Sequence, residues 1–114
     1  MALTTTSPVH MAATQLTTAA KLLYTCPANS YIKISAATLT NTSGASSNAT
    51  LHYVPAGGTP AVGTQVVSGQ AVNSNGSYNA QELVNHILHP GDQIWGSAGS
   101  GQSINANISG IQFS

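Results

Sequence analysis

Arginine is absent from this 114-residue chain, and charge of either sign is scarce: Lys21, Lys33, Glu82 and Asp92 are its four charged side chains. A soluble domain ordinarily has about a quarter of its residues charged. Charge also keeps molecules apart in solution. A chain at 4% charge is therefore expected to live packed against copies of itself or against a larger shell. Without a basic stripe to neutralise phosphates, no binding to a nucleic-acid backbone is expected. Cysteine is reduced to Cys26, which excludes an internal disulfide and a cysteine-based zinc site within one chain. Its simplest reading is a small apolar residue in or beside a strand. No apolar run approaches the length of a membrane span, and no basic amphipathic helix points to a membrane surface. Met1 to Gln15 has neither a positive n-region nor an apolar h-region, so this stretch is not expected to act as a secretory signal.

Hydrophobic residues make up 41% of the chain, which is enough for a core and excludes disorder of the low-hydrophobicity kind. Most of the remainder is Ser, Thr, Asn, Gly and Gln. These residues favour strands joined by tight turns over helices, because Ser and Asn compete for backbone hydrogen bonds and Gly opens positive φ. The length suits one domain.

Met1 to Thr18 is polar and lacks clear alternation, so residues 1–18 read as an N-terminal arm and 19–114 as a single domain. The arm has apolar points at Leu3, Val9, Met11 and Leu16, and these are candidate contacts with a neighbouring subunit. Leu22 to Thr25 is a short strand candidate, stopped by Pro27 to Asn29. Tyr31 to Thr40 is the clearest strand: Ile32 and Ile34 alternate with Lys33 and Ser35. The apolar phase then moves to Ala37 and Leu39, as a β-bulge near Ser35 to Ala37, or a strand crossing between sheets, would produce. Ala49 to Val54 is a further strand. Val62 to Val67 reads as an edge strand or one helical turn, and Ser68 to Gly76 as loop. Tyr78 to Leu88 reads as strand then turn, with a short helix as the alternative, since Leu83, Val84, Ile87 and Leu88 have helical spacing. Pro90-Gly91 has the residues of a type II turn, with Gln93 to Ser97 following as strand. Ile104, Ala106 and Ile108 alternate with polar residues. The phase shifts after Gly110 to Ile111 and Phe113, which reads as a second bulge. About seven to eight short strands between turn clusters predict an all-β, antiparallel β-sandwich of jelly-roll or immunoglobulin-like type.

Candidate chemistry is sparse. His86 and His89, with His10 and His52 elsewhere, are possible zinc ligands. In a strand that spacing points the two to opposite faces, and no acid or cysteine is near in sequence. Glu82 and Asp92 are the full set of acids. Asp92 after Pro90-Gly91 is the residue expected to bond its own turn amides. No serine sits in a nucleophile elbow, and the glycines lack the Lys and helix of a phosphate cradle. Trp95 and the tyrosines offer a stacking platform for a sugar or a partner, or a share of core and interface. No enzyme activity, cofactor or metal is expected.

The run from Lys21 to Val54, with its Pro-Ala-Gly-Gly turn (KLLYTCPANSYIKISAATLTNTSGASSNATLHYVPAGG), resembles a recurring pattern of tailed-bacteriophage virion proteins. In that pattern the string is followed by L-x-P-G-D-x-I and a final I…ISGI-x-F. Here these are Leu88 to Ile94 and Ile104 to Phe113. The resemblance implies a small β-sandwich structural component: a capsid decoration (cement) protein bridging major capsid protein subunits. A tail, collar or fibre-associated module on the same fold is the nearest alternative. A carbohydrate-binding module built on Trp95 is another. The scarcity of charge predicts a small homo-oligomer, a trimer or dimer, and the resemblance implies a virion location after synthesis in the host cytoplasm. Trp95 joins Leu3, Val9, Met11 and Leu16 as the interface candidates.

Overall fold

The computed structural model describes residues 6–99 and 104–114. Nine strands run in chain order: β1 Thr6–Gln15, β2 Lys21–Thr25, β3 Tyr31–Asn41, β4 Ser47–Val54, β5 Gln65–Val72, β6 Ser77–Asn79, β7 Ile87–Leu88, β8 Gln93–Ala98 and β9 Ile104–Phe113. A single 3₁₀ turn, Val62–Thr64, precedes β5. One sheet has the order β1-β9-β3-β6, with β7 also on β3; the other has the order β2-β8-β4-β5. Every pairing is antiparallel, and the pairings nest: β1 with β9, β2 with β8, β3 with β6 and β7, β4 with β5. That nesting is a long antiparallel ribbon rolled into two facing sheets, the jelly-roll form of the β-sandwich.

The core between the sheets is aliphatic. Leu16, Ile32, Ile34, Leu39, Leu51, Leu83, Leu88, Ile94, Ile104 and Ile108 are its large, fully buried side chains. All six aromatic residues, Tyr24, Tyr31, Tyr53, Tyr78, Trp95 and Phe113, lie half-buried or exposed. The expected bulge in β3 is present, between Ile34 and Ala36. It lets Ile32 and Ile34, then Ala37 and Leu39, all face inward.

Three segments depart from expectation. Thr6–Gln15 is a full strand at the edge of the first sheet, not a stretch without pattern. Its alternation is hidden because the register shifts between His10 and Ala12, opposite Ser109 and Ile108. β5 continues through Ser68 to Val72, which read as loop; Gly69, at φ +57°, interrupts its pattern. β9 has no bulge. Gly110 stays on the inner face, so Ile111 and Phe113 point outward in step with Asn105 and Asn107. The shifts belong to its neighbours: β1 and β3 each carry one extra residue beside the straight β9.

Edges are blunted with little charge, Lys21 at the start of β2 excepted. β1 carries Pro8 and its register shift, β2 and β5 are shifted at Leu22/Tyr24 and around Leu51, and β6 and β7 are very short. Irregular, short or proline-bearing edges resist further strand pairing.

Candidate interaction surfaces

The two outward sheet faces and one end of the sandwich hold the side chains available for function. The outer face of the first sheet changes character along its length. At one end, register places Gln15, Asn105 and Thr40 in one row, and Ala13, Asn107 and Thr38 in the next. Ala13, Thr14, Gln15, Asn105 and Asn107 line a shallow depression there of about 310 Å³. At the other end the rows are Pro8–Ile111–Lys33–Ile87 and Thr6–Phe113–Tyr31. Ile87 is 49% exposed, Ile111 39% and Tyr31 36%. Lys33 sits among them, exposed, and its Nζ makes no hydrogen bond or ion pair. The His89 ring meets Tyr31 edge-on at 5.2 Å and extends this patch.

The second sheet presents Leu22, Trp95 and His52 in one row. Trp95 is half-buried and donates its indole N–H to Gln93 Oε1 at 2.9 Å. His52 is buried, its Nδ1 2.9 Å from Thr64 Oγ1. Exposed Val62 stands one turn before it in the 3₁₀ segment.

The end of the sandwich next to the apolar patch is organised by Asp92. Its Oδ2 accepts from the Tyr53 hydroxyl (2.7 Å) and the His89 amide (2.9 Å), and its Oδ1 from the Ala56 amide (3.0 Å). Pro90 and Gly91 form the expected turn, with Gly91 at φ +87° and the Asp92 amide donating to His89 O. Burial works to raise the Asp92 pKa. The three donated bonds and the nearby His89 ring outweigh it and hold the carboxyl below its ordinary value. Burial, and then the bond to Asp92, push the Tyr53 hydroxyl far up, so it stays a donor. It lies 2.7 Å from Ile87 O as well. Cys26 is buried in the same end, its thiol donating to Ser30 O and Leu88 O. Burial, then the Asp92 charge, raises its pKa, so it is a poor nucleophile. Every acceptor position facing a donor here is spent on backbone or tyrosine. The cluster joins the loop after β4, the turn before β8 and the end of β2, and the group it turns to solvent is the exposed His89 ring, whose Nδ1 lies 3.7 Å from Asp92 Oδ2.

The interface candidates read from the sequence are separated. Met11 and Leu16 face the chain's own core, 5% and 0% exposed, and Val9 is half-buried against it. Leu16 packs toward Gly96 of the opposite sheet. Trp95 is on the far sheet's outer face, and Leu3 lies outside the described residues. His86 and His89 also part: His86 lies against the Tyr53 ring at 5.4 Å and His89 against Tyr31. Among the described residues no three His, Cys, Asp or Glu side chains converge to hold a metal. The apolar patch of Pro8, Ile111, Phe113, Tyr31 and Ile87 escaped the sequence reading because the phase change at Gly110 was taken for a bulge. Counting straight through β9 would have put Ile111 and Phe113 on the polar, outward side.

The geometry defines a jelly-roll domain with a closed aliphatic interior and an exposed apolar patch on one sheet. No protein-family model and no curated protein sequence matches the chain. Among solved structures it is similar to a chain of the Bacillus endospore appendages, described as a novel family of disulfide-linked pili. The TM-score is 0.57 at 13% identity, over 96% of this chain and 87% of that one. A chain from the structure of infectious bursal disease virus Gx strain aligns at TM-score 0.47 and 15% identity, over 96% of this chain and 32% of that one. At such identity the first is a likeness of fold.

Proposed function

We propose that this chain is a non-enzymatic structural protein of a tailed-phage particle, a capsid decoration protein that bridges capsid subunits. The observation that carries the reading is the outward apolar patch around Ile111 and Ile87, on a molecule with four charged side chains. Contiguous exposed apolar patches with polar rims are a mark of association sites. The blunted edges favour contact through a face over added strands. The resemblance of the Lys21 to Val54 run and of Leu88 to Ile94 to phage virion proteins supplies the particle. The jelly roll recurs in viral capsids and lectins as well as in cupins, so the fold alone does not choose among them. The interior here is filled with aliphatic side chains. The endospore-appendage chain that shares the fold is described as forming pili, also an assembly. Those pili are disulfide-linked, whereas Cys26 here is buried and single.

The test is copy number. Quantitative mass spectrometry of purified particles is expected to find the chain in hundreds of copies. Purified protein is expected to bind expanded shells that lack it. A count near six or twelve would transfer the chain to the tail or collar. Absence from particles, with a glycan-array signal lost on Trp95→Ala, would replace the reading with carbohydrate binding.

A further inference from the structure

We infer that copies of this chain contact one another head to tail, the Lys33 patch of one copy receiving the Glu82 turn of the next. The inference rests on the reading of the chain as an assembling structural protein, and it names the contact.

The argument is an accounting of charge. Of the four charged side chains, two are engaged within the fold. Asp92 is buried and accepts three bonds. Lys21 donates to Thr14 Oγ1 at 2.9 Å, across from β2 to β1. The other two are exposed and face outward. Lys33 has no partner, although Ile111, Ile87, Pro8, Tyr31 and Phe113 surround it. Glu82 lies in the turn between β6 and β7, at the lateral edge of the same sheet. Its two oxygens accept from the Tyr78 hydroxyl, at 2.8 and 2.7 Å, and its own backbone amide also stabilises the carboxylate. A carboxylate has room for about four hydrogen bonds, so Glu82 retains capacity.

Covering the apolar patch removes water from Lys33. An ammonium stripped of water without a carboxylate costs several-fold to many-fold in affinity, so the occupant must bring one. In a self-assembly the chain has one exposed acidic side chain to offer, Glu82. The symmetric alternative, patch against patch, sets Lys33 beside Lys33 about a two-fold axis and is opposed by like charge. Patch against turn is a heterologous contact, which closes into a ring or continues as a filament.

Charge reversal on the full chain tests this by sedimentation velocity. Lys33→Glu and Glu82→Lys each leave two like charges at every contact. Each is expected to weaken self-association about tenfold or more. Both positions are exposed, so circular dichroism and melting are expected to match wild type. The double variant again opposes one lysine to one glutamate at each contact and is expected to recover assembly; an equimolar mixture of the two single variants does so wherever they alternate, in a filament or an even-numbered ring. Single variants that assemble as wild type, or a double variant that fails to recover, overturn the contact while leaving structural assembly standing. A wild-type chain that stays monomeric yet loads onto undecorated shells also overturns it. A chain that neither self-associates nor binds shells removes both this contact and the decoration reading.

Discussion

Asp92 shows how a nearly uncharged protein uses a charge that it keeps. Its folded-state pKa is depressed below the ordinary 3.8, so the unfolded chain takes up a proton first as the pH falls. Its stabilisation is therefore fully present above about pH 4 and is lost as pH falls through the folded value. Melting temperature is expected to be flat from neutral pH to about pH 5 and to drop below about pH 4. Asp92→Asn should flatten that acid limb and cost about 1–3 kcal/mol at neutral pH, read by urea titration. Glu82, depressed mainly by the Tyr78 bond, shifts in the same direction but is exposed; Glu82→Gln is expected to leave the acid limb in place. Ile34 is fully buried. Ile34→Asp buries an unpaired carboxylate at a cost of several kcal/mol, comparable to the roughly 5–15 kcal/mol that holds a domain folded. That variant should show no cooperative melt. At Gly110 an added Cβ would lie 2.6 Å from Lys33 O, a backbone atom of the adjacent strand. Gly110→Ala is expected to lose about 1–3 kcal/mol or more, because β3 cannot recede without giving up its pairing to β9.

At the level of elements, β1 is the decisive case. Residues 1–18 read as an arm because Val9, Met11 and Leu16 fit no single period. One extra residue at the register shift explains it: Val9 precedes the shift, Ala12 follows it, and both face β9 on the inner side. The segment pairs with β9 and delivers Met11, Ala12 and Leu16 to the core. Deleting residues 1–18 is therefore expected to unfold the domain, seen as loss of the β signal in circular dichroism. A truncated chain that melts as before would show β1 to be dispensable. Elsewhere the legible parts were those where local chemistry acts alone. The Ile32/Ile34 and Ile104/Ala106/Ile108 alternation, the β3 bulge and the Pro90-Gly91 turn with Asp92 bonding its amides were all readable. What was not readable depended on a neighbour. The alternation of β9 runs unbroken, so the outward course of Ile111 and Phe113 can be counted, but the patch they form with Pro8, Tyr31 and Ile87 emerges only when the strands lie side by side. β5 shows the same limit, since its strand state past Ser68 comes from pairing with β4 across Gly69.

For the whole molecule, the nested pairing sets an order of events during synthesis. β9 is made after the other eight described strands, yet it occupies the middle of its sheet, between β1 and β3. Until it leaves the ribosome, the two strands that flank it have no shared partner, and Thr6 waits for Phe113. Pairings so distant in sequence close late and slowly. The nascent chain therefore cannot consolidate its first sheet from the N-terminus onward, and it presents open, uncharged strands throughout translation. Chains stalled before Ile104 are expected to be digested by protease as unfolded polypeptide, while chains released past Phe113 resist. A protein with four charged side chains to keep its copies apart thus passes through its most adhesive state while still tethered one by one, before the central strand of its first sheet has been made.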